Sequence, residues 1–169
     1  MCIRDSTGYC DEEAARVNAL GSYAPVAVSA NFSIGVAVLK HLAAEAAALL
    51  PDFDIEIIET HHRMKKDAPS GTAKLLLSAV NPDGTHPTVF GREGFAPRTA
   101  DEIGVHAVRG GTVAGVHTVS FFGDEEELSL THRAESRRIF AIGALKTAEK
   151  LKDAPVGLHT LDELLFARR

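Results

Sequence analysis

Apolar residues along this chain recur at two different periods. In DEEAARVNALG (Asp11 to Gly21), acidic residues open the segment, Ala14, Val17 and Leu20 follow at helical spacing, and Gly21 closes it. That pattern predicts a helix. APVAVSAN (Ala24 to Asn31) is a short Val-rich run and predicts a buried strand, of the kind found in parallel sheets. SIGVAVLKHLAAEAAALLP predicts a long helix, with Ser33 as N-cap and Pro51 just past its end. FDIEIIETHH (Phe53 to His62) alternates: Ile55 and Ile57 share one face, and Asp54, Glu56 and Ile58 share the other. DAPSGTAKLLLSAV predicts a second helix capped by Asp67 or Ser70, with Pro69 near its first turn, and NPDGTHP is a turn cluster.

Strand, helix, strand in that order is α/β grammar. The pattern then changes. PTVFG, IGVHAVRGG, GVHTVSFFG and ELSLTHRAE are short β-type runs separated by turns rich in Gly and Asp. Hairpin-length links predict a mainly antiparallel or mixed open sheet. SRRIFAIGALKTAEKLKD and TLDELLFARR predict closing helical segments. Such a sheet, apolar on both faces, needs two covers. Helices supply one, and a partner subunit is the natural second.

Composition narrows the field. The 169 residues, 45% apolar and 24% charged, fit one domain or one domain plus pieces of another. A net charge of −5 argues against a general nucleic-acid or anionic-membrane binder. The two cysteines, Cys2 and Cys10, form no disulfide framework and suit a reducing cytoplasm. No run is long and apolar enough to predict a membrane span, and no secretory signal is visible. Any basic site must be local.

THHRMKKDAPSGTA (Thr60 to Ala73) is where cationic and proton-transferring side chains concentrate. His61 and His62 follow each other at a strand end, so they point to opposite faces and serve different jobs. Histidine suits proton transfer near neutral pH, and Lys65 adds an ammonium nearby. Ser70, Gly71 and Thr72 stand at a helix start, where backbone N–H groups and the dipole favour a carboxylate or phosphate. A proton donor, a cation and an anion cradle suit a small anionic substrate that must be protonated. A solvated basic loop leading into a capped helix explains the same residues. A metal site is a third reading, with His106, His117 and His132 as further ligands. It lacks same-face spacing and a Cys cluster, and such histidines are more often hydrogen-bonded sheet residues.

ETHHRMKKDAPSGTA meets every fixed position of E-x-H-H-x-x-K-x-D-A-P-S-G-T-A, and so resembles the signature of the dihydrodipicolinate reductase family of lysine and diaminopimelate biosynthesis. SANFSIGVAVLKHL resembles the junction between that family's two domains, STGY the end of its cofactor loop, and the segment from Val108 to Ala148 its substrate-domain sheet and returning hinge helix. The resemblance runs from about Ser6 to the carboxyl end. It implies an α+β substrate and tetramerisation domain, with an open mixed sheet covered by helices on one face, plus the remnant of a Rossmann-type α/β nucleotide-binding domain.

By the same resemblance, His61 is the general acid/base, Lys65 a proton donor, and His62, Ser70, Gly71 and Thr72 substrate contacts. Ser6, Thr7, Gly8, Ser29, Ala30, Asn31, Phe32 and Arg137 meet the cofactor, NADH or NADPH, and no metal is implied. The partners implied are a small dicarboxylate and further copies in a homotetramer, with no nucleic acid and no membrane, in the cytoplasm. The expected domains are 1–30, a dinucleotide-binding remnant; 31–148, for substrate binding and oligomerisation; and 149–169, returning to the nucleotide domain. Residues 1–5 depart from the family and read as an unrelated leader on a truncated frame. No G-x-G-x-x-G is present: before Gly35 the only glycines are Gly8 and Gly21. That absence motivates the alternative of a non-catalytic dicarboxylate-binding or assembly domain.

Overall fold

The computed structural model describes residues 2–5 and 10–166. They divide into two compact units, one joining residues 1–37 to 137–169 and the other spanning 38–136. The expected assignments of Ser6, Thr7 and Gly8 lie outside the described residues.

The first unit begins with strand β1 (Cys2–Asp5) and helix α1 (Asp11–Ala19), which ends in a 3-10 turn over Leu20–Ser22. Strand β2 (Pro25–Ser29) follows, and helix α2 (Ile34–Leu49) starts in this unit. Val36 N–H donates to Ser33 Oγ at 3.3 Å, so Ser33 caps α2 as its position predicts. Val26 and Ala27, neighbours on β2 that point to opposite faces, are both fully buried. Burial on both faces is why this run is continuously apolar rather than alternating.

The rest of the unit comes from the carboxyl end of the chain: α4 (Arg138–Leu151), β8 (Gly157–His159) and α5 (Leu161–Phe166). All three strands are parallel, in the order β1-β2-β8. The core gathers Ala27, Phe32, Ala37, Leu151 and Leu161. Strands β1 and β8 are too short to carry a readable period in the sequence.

The second unit is built on β3 (Asp54–His61), α3 (Gly71–Val80), β4 (Thr88–Val89), β5 (Ile103–Arg109), β6 (Gly115–Gly123) and β7 (Glu126–Ala134). The sheet is open and mixed, in the order β4-β5-β3-β6-β7. Only β6 and β7 form a sequential hairpin. Strand β5 pairs with β3 in parallel, and β6 pairs with β3 on its other edge in antiparallel. The hairpin-length links expected between β4, β5 and β6 are therefore corrected. The helix α3 separates β3 from β5, and such a crossover returns the chain parallel.

Because facing residues share a side, register sorts the sheet into rows. One face carries Leu128–Phe121–Ile55–Ile103, then Leu130–Val119–Ile57–Val105, then His132–His117–Glu59–Ala107. Apart from Leu128, which is exposed, the two apolar rows pack with Leu39, Ala43 and Ala46 of α2 and with Ala73, Leu76 and Val80 of α3. The polar row lies toward the carboxyl end of β3, near the start of α3.

The opposite face has no helix of this unit on it, and Ile58, Phe122 and Val108 are exposed there. Glu56 projects from this face and accepts from Arg92, from Arg98 and from His106 Nε2, the last at 2.7 Å. Arg92 also pairs with Glu102, and Arg98 with Asp54. The long segment between β4 and β5 is thereby clipped to the sheet by two guanidinium groups. Gly104 makes room for this: a Cβ there would lie 1.7 Å from Glu56 Oε2.

Candidate active site

Strand alternation puts Glu59 and His61 on the same side of β3, and both are buried. His61 Nδ1 lies 2.6 Å from Glu59 Oε2. Glu59 is the hub. Arg109 Nη1 donates to Oε2 and Nη2 to Oε1, each at 2.8 Å, and the Ser70 backbone N–H donates to Oε1 at 2.9 Å. Burial pushes the Glu59 carboxyl up, but the hydrogen bonds from Arg109, His61 and Ser70 outweigh it and hold it below the usual carboxylate range. Glu59 is thus a buried, ionised and fully paired carboxylate.

Ser70 joins this hub to a helix. It caps α3, accepting the Ala73 N–H at 3.1 Å, while its Oγ lies 3.0 Å from His117 Nε2. Asp67, the other expected cap, instead pairs with Lys65 at 2.8 Å, and that pairing lowers its pKa. Pro69 directly precedes the cap, next to the first turn as expected. The His117 ring stands edge-on to His61, centroids 5.1 Å apart. Burial, with help from the nearby His61, His132 and Lys65 charges, drives His117 down to about 4, so it is neutral at ordinary pH.

A Cβ on Gly115 would come 3.1 Å from His61 Nε2, so glycine keeps that nitrogen uncovered. Gly71 opens α3 with nothing within 4 Å of where its side chain would stand. The loop between β3 and α3 is held by the His62 N–H donating to Val113 O at 2.8 Å and by Arg109 Nη2 donating to Asp67 O at 2.7 Å. His61, His62, Lys65, Ser70, Gly71 and Thr72 all belong to the second unit; Glu59 links His61 to Ser70, and the Lys65 N–H donates to His62 O at 3.1 Å.

Of the other expected residues, Ser29, Ala30, Asn31, Phe32 and Arg137 belong to the first unit. Ser29 Oγ donates to Asn31 O at 2.7 Å, and Asn31 Oδ1 accepts the Ser33 N–H at 2.7 Å. This closes a tight turn with Ala30 at its tip, just past the carboxyl end of parallel strand β2. Phe32 is buried core, and Arg137 is exposed at the start of α4. Sequence reading missed Glu59, Arg109 and the His117–Ser70 contact. The first had a signal in its two-residue spacing from His61; Arg109 arrives from a strand paired only in three dimensions.

Residues 35–165 match the family model described as dihydrodipicolinate reductase, C-terminus. The chain belongs to the dihydrodipicolinate reductase family. Its similarity to family members extends beyond that segment. It is 45% identical over 166 residues to the 4-hydroxy-tetrahydrodipicolinate reductase of Methanococcoides burtonii, covering 96% of this chain and 63% of that one. It is 47% identical over 163 residues to that of Aquifex aeolicus, covering 95% and 62%. A dipicolinate-bound dihydrodipicolinate reductase from Paenisporosarcina sp. TG-14 superposes with a TM-score of 0.75 at 26% identity, covering 97% of this chain and 64% of that one. The chain thus spans somewhat under two thirds of the length of these dihydrodipicolinate reductases.

Proposed function

We propose that this chain is the substrate-binding and proton-transferring part of a 4-hydroxy-tetrahydrodipicolinate reductase of lysine and diaminopimelate biosynthesis. The observation that carries the reading is the His61–Glu59 contact beside the start of α3. It sets a histidine with a held ring next to an anion-favouring helix end. The reaction adds one hydride and one proton to the ring and releases one water. When bound, NADH or NADPH supplies the hydride.

His61 takes up a proton at Nε2, the nitrogen beside Gly115, and passes it to the substrate. Lys65 and His62 offset the negative charge of the substrate, and Gly71 and Thr72 take one carboxylate at the helix start. A dicarboxylate with an unsaturated ring fits this charge pattern, and the dipicolinate held by the related structure is such a molecule.

The residues present suit only the nicotinamide end of the cofactor. The Ser29–Asn31 turn lies at the carboxyl end of a parallel strand, where α/β sheets take ligands, but no glycine-rich phosphate loop is in the sequence. In this reading the unit around β1, β2 and β8 is the nucleotide-domain portion, and the unit around β3–β7 is the substrate and assembly portion of a cytoplasmic homotetramer. The uncovered sheet face with Ile58, Val108 and Phe122 supports the assembly.

Calorimetry of this chain with dipicolinate and with NADH tests the first part, and NADH or NADPH oxidation by the chain joined to the nucleotide-binding portion of a relative tests the second. We expect dipicolinate binding by the chain, and turnover by the joined protein that falls at least about 100-fold in His61→Gln. Dipicolinate binding with no turnover in the joined protein would favour a non-catalytic binding domain instead. Turnover unchanged by His61→Gln would remove His61 from the mechanism.

A further inference from the structure

We propose that Glu59 and Arg109 are a positioning pair for His61, with Arg109 forking onto the Glu59 carboxylate and Glu59 fixing the His61 ring with Nδ1 protonated and Nε2 bare. The chemical use of that bare nitrogen rests on the reductase reading above; the placement of the proton does not.

The argument is an accounting of lone pairs. Glu59 is wholly buried, and each of its oxygens already accepts two contacts. Oε1 takes Arg109 Nη2 and the Ser70 N–H; Oε2 takes Arg109 Nη1 and His61 Nδ1. A carboxylate so filled accepts only. The nitrogen of His61 that faces it must therefore carry the hydrogen, which leaves Nε2 as the ring atom able to take up and give back a proton.

Register explains how the guanidinium gets there. Arg109 on β5 pairs with His61 on β3, and Ala107 pairs with Glu59. The small Ala107 leaves the Arg109 side chain room to fold back over Glu59. A forked contact of this kind fixes the carboxylate in plane as well as neutralising it, which a lysine ammonium does not do. The same guanidinium also donates to Asp67 O, in the loop that carries Lys65. One side chain thus steadies both the Glu59–His61 contact and the loop that carries Lys65.

The test is nitrogen NMR of the uniformly labelled chain, which reads the tautomer of each neutral histidine directly, with dipicolinate titration alongside. The chain as it stands is expected to show His61 as the Nδ1–H tautomer. In Glu59→Gln, whose amide can donate to Nδ1, His61 shifts to a mixture or to the Nε2–H form. In Arg109→Lys, which keeps the charge and loses the fork, the Nδ1–H population falls in part, and this variant decides the matter if Glu59→Gln does not fold. An unchanged Nδ1–H tautomer in folded Glu59→Gln or, failing that, in Arg109→Lys overturns the proposal.

A kinetic readout separates positioning from simple support. In the chain joined to a relative's nucleotide-binding portion, either substitution is expected to lower kcat about 10- to 100-fold with KM within about threefold. A loss confined to KM overturns the proposal as well. If the parent binds no dipicolinate and turns over no substrate, the reductase reading fails, while the tautomer result still decides the pair.

Discussion

Two buried titratable side chains in one row of the sheet respond to acid in separate pH windows. His117 is held down at about 4 by burial, against an ordinary 6.5. The unfolded chain takes up this proton near 6.5 and the folded chain does not until about 4. Stability from His117 is thus complete above 6.5, falls across that interval, and is level below it, a swing of about 3 kcal/mol. Glu59 has the opposite proton chemistry and the same sign: its lowered pKa means stability present above the ordinary carboxylate value and lost as pH drops further. Urea unfolding at pH 7 and pH 5 should show a smaller acid loss in His117→Gln than in the parent; equal losses in both would exclude His117 as the source. Gly115→Ala should cost stability, because the backbone there has a φ of +157°, and should also weaken dipicolinate binding, because its methyl group reaches His61 Nε2. At this scale His61, Lys65 and the Ser70–Thr72 turn were readable from one short motif. Arg109 was not, since fifty positions separate it from Glu59 and nothing local marks the pairing.

Helix α3 ties the candidate site to packing at the level of elements. Its cap, Ser70, touches both the Glu59 hub and His117, and its Leu76 is fully buried against the sheet. Ser70→Ala removes a cap and should lower stability by about 1–2 kcal/mol. Leu76→Ala leaves a cavity beneath the helix and should lower it by about 2–5 kcal/mol. Chemical denaturation of both variants gives the comparison, and a Ser70→Ala loss larger than that of Leu76→Ala would contradict the ranking. Gly104→Ala should also destabilise, by about 1–3 kcal/mol, because the methyl group displaces Glu56 from its guanidinium partners. The long elements α2, α3, β3 and α4 were legible because each runs through enough periods to show its spacing. The order of β5 and β6 was not. Both read as hairpin strands, and only the return over α3 puts β3 between them.

For the molecule as a whole, each unit has its own apolar cluster, one around Phe32 and Leu151 and the other around Ile57, Leu76 and Phe121. Leu151→Ala should therefore melt the unit of β1, β2 and β8 before the other. Amide signals of Val119 and Phe121 should outlast those of Val26 and Ala27 on heating, and simultaneous loss of all four would show a single cooperative unit instead. The change from α/β alternation to consecutive strands falls inside the second unit, after α3, and does not mark the division at residues 37 and 136. The return of α4, β8 and α5 to the first unit was expected only through the family resemblance and has no signature in local spacing, because a helix does not record which sheet it will meet.

The rows of the larger sheet have a consequence for anyone who alters it. Packing and proton chemistry occupy different rungs of one ladder: the Phe121–Ile55–Ile103 rung holds none of the groups that Glu59 gathers. A hydrophobic rung can be redrawn for heat tolerance while the acid–base rung keeps its alignment. A single residue inserted in β3 ahead of Glu56 does the reverse, since it turns Glu56 inward and Glu59 outward and exchanges two carboxylates that each already have a guanidinium waiting.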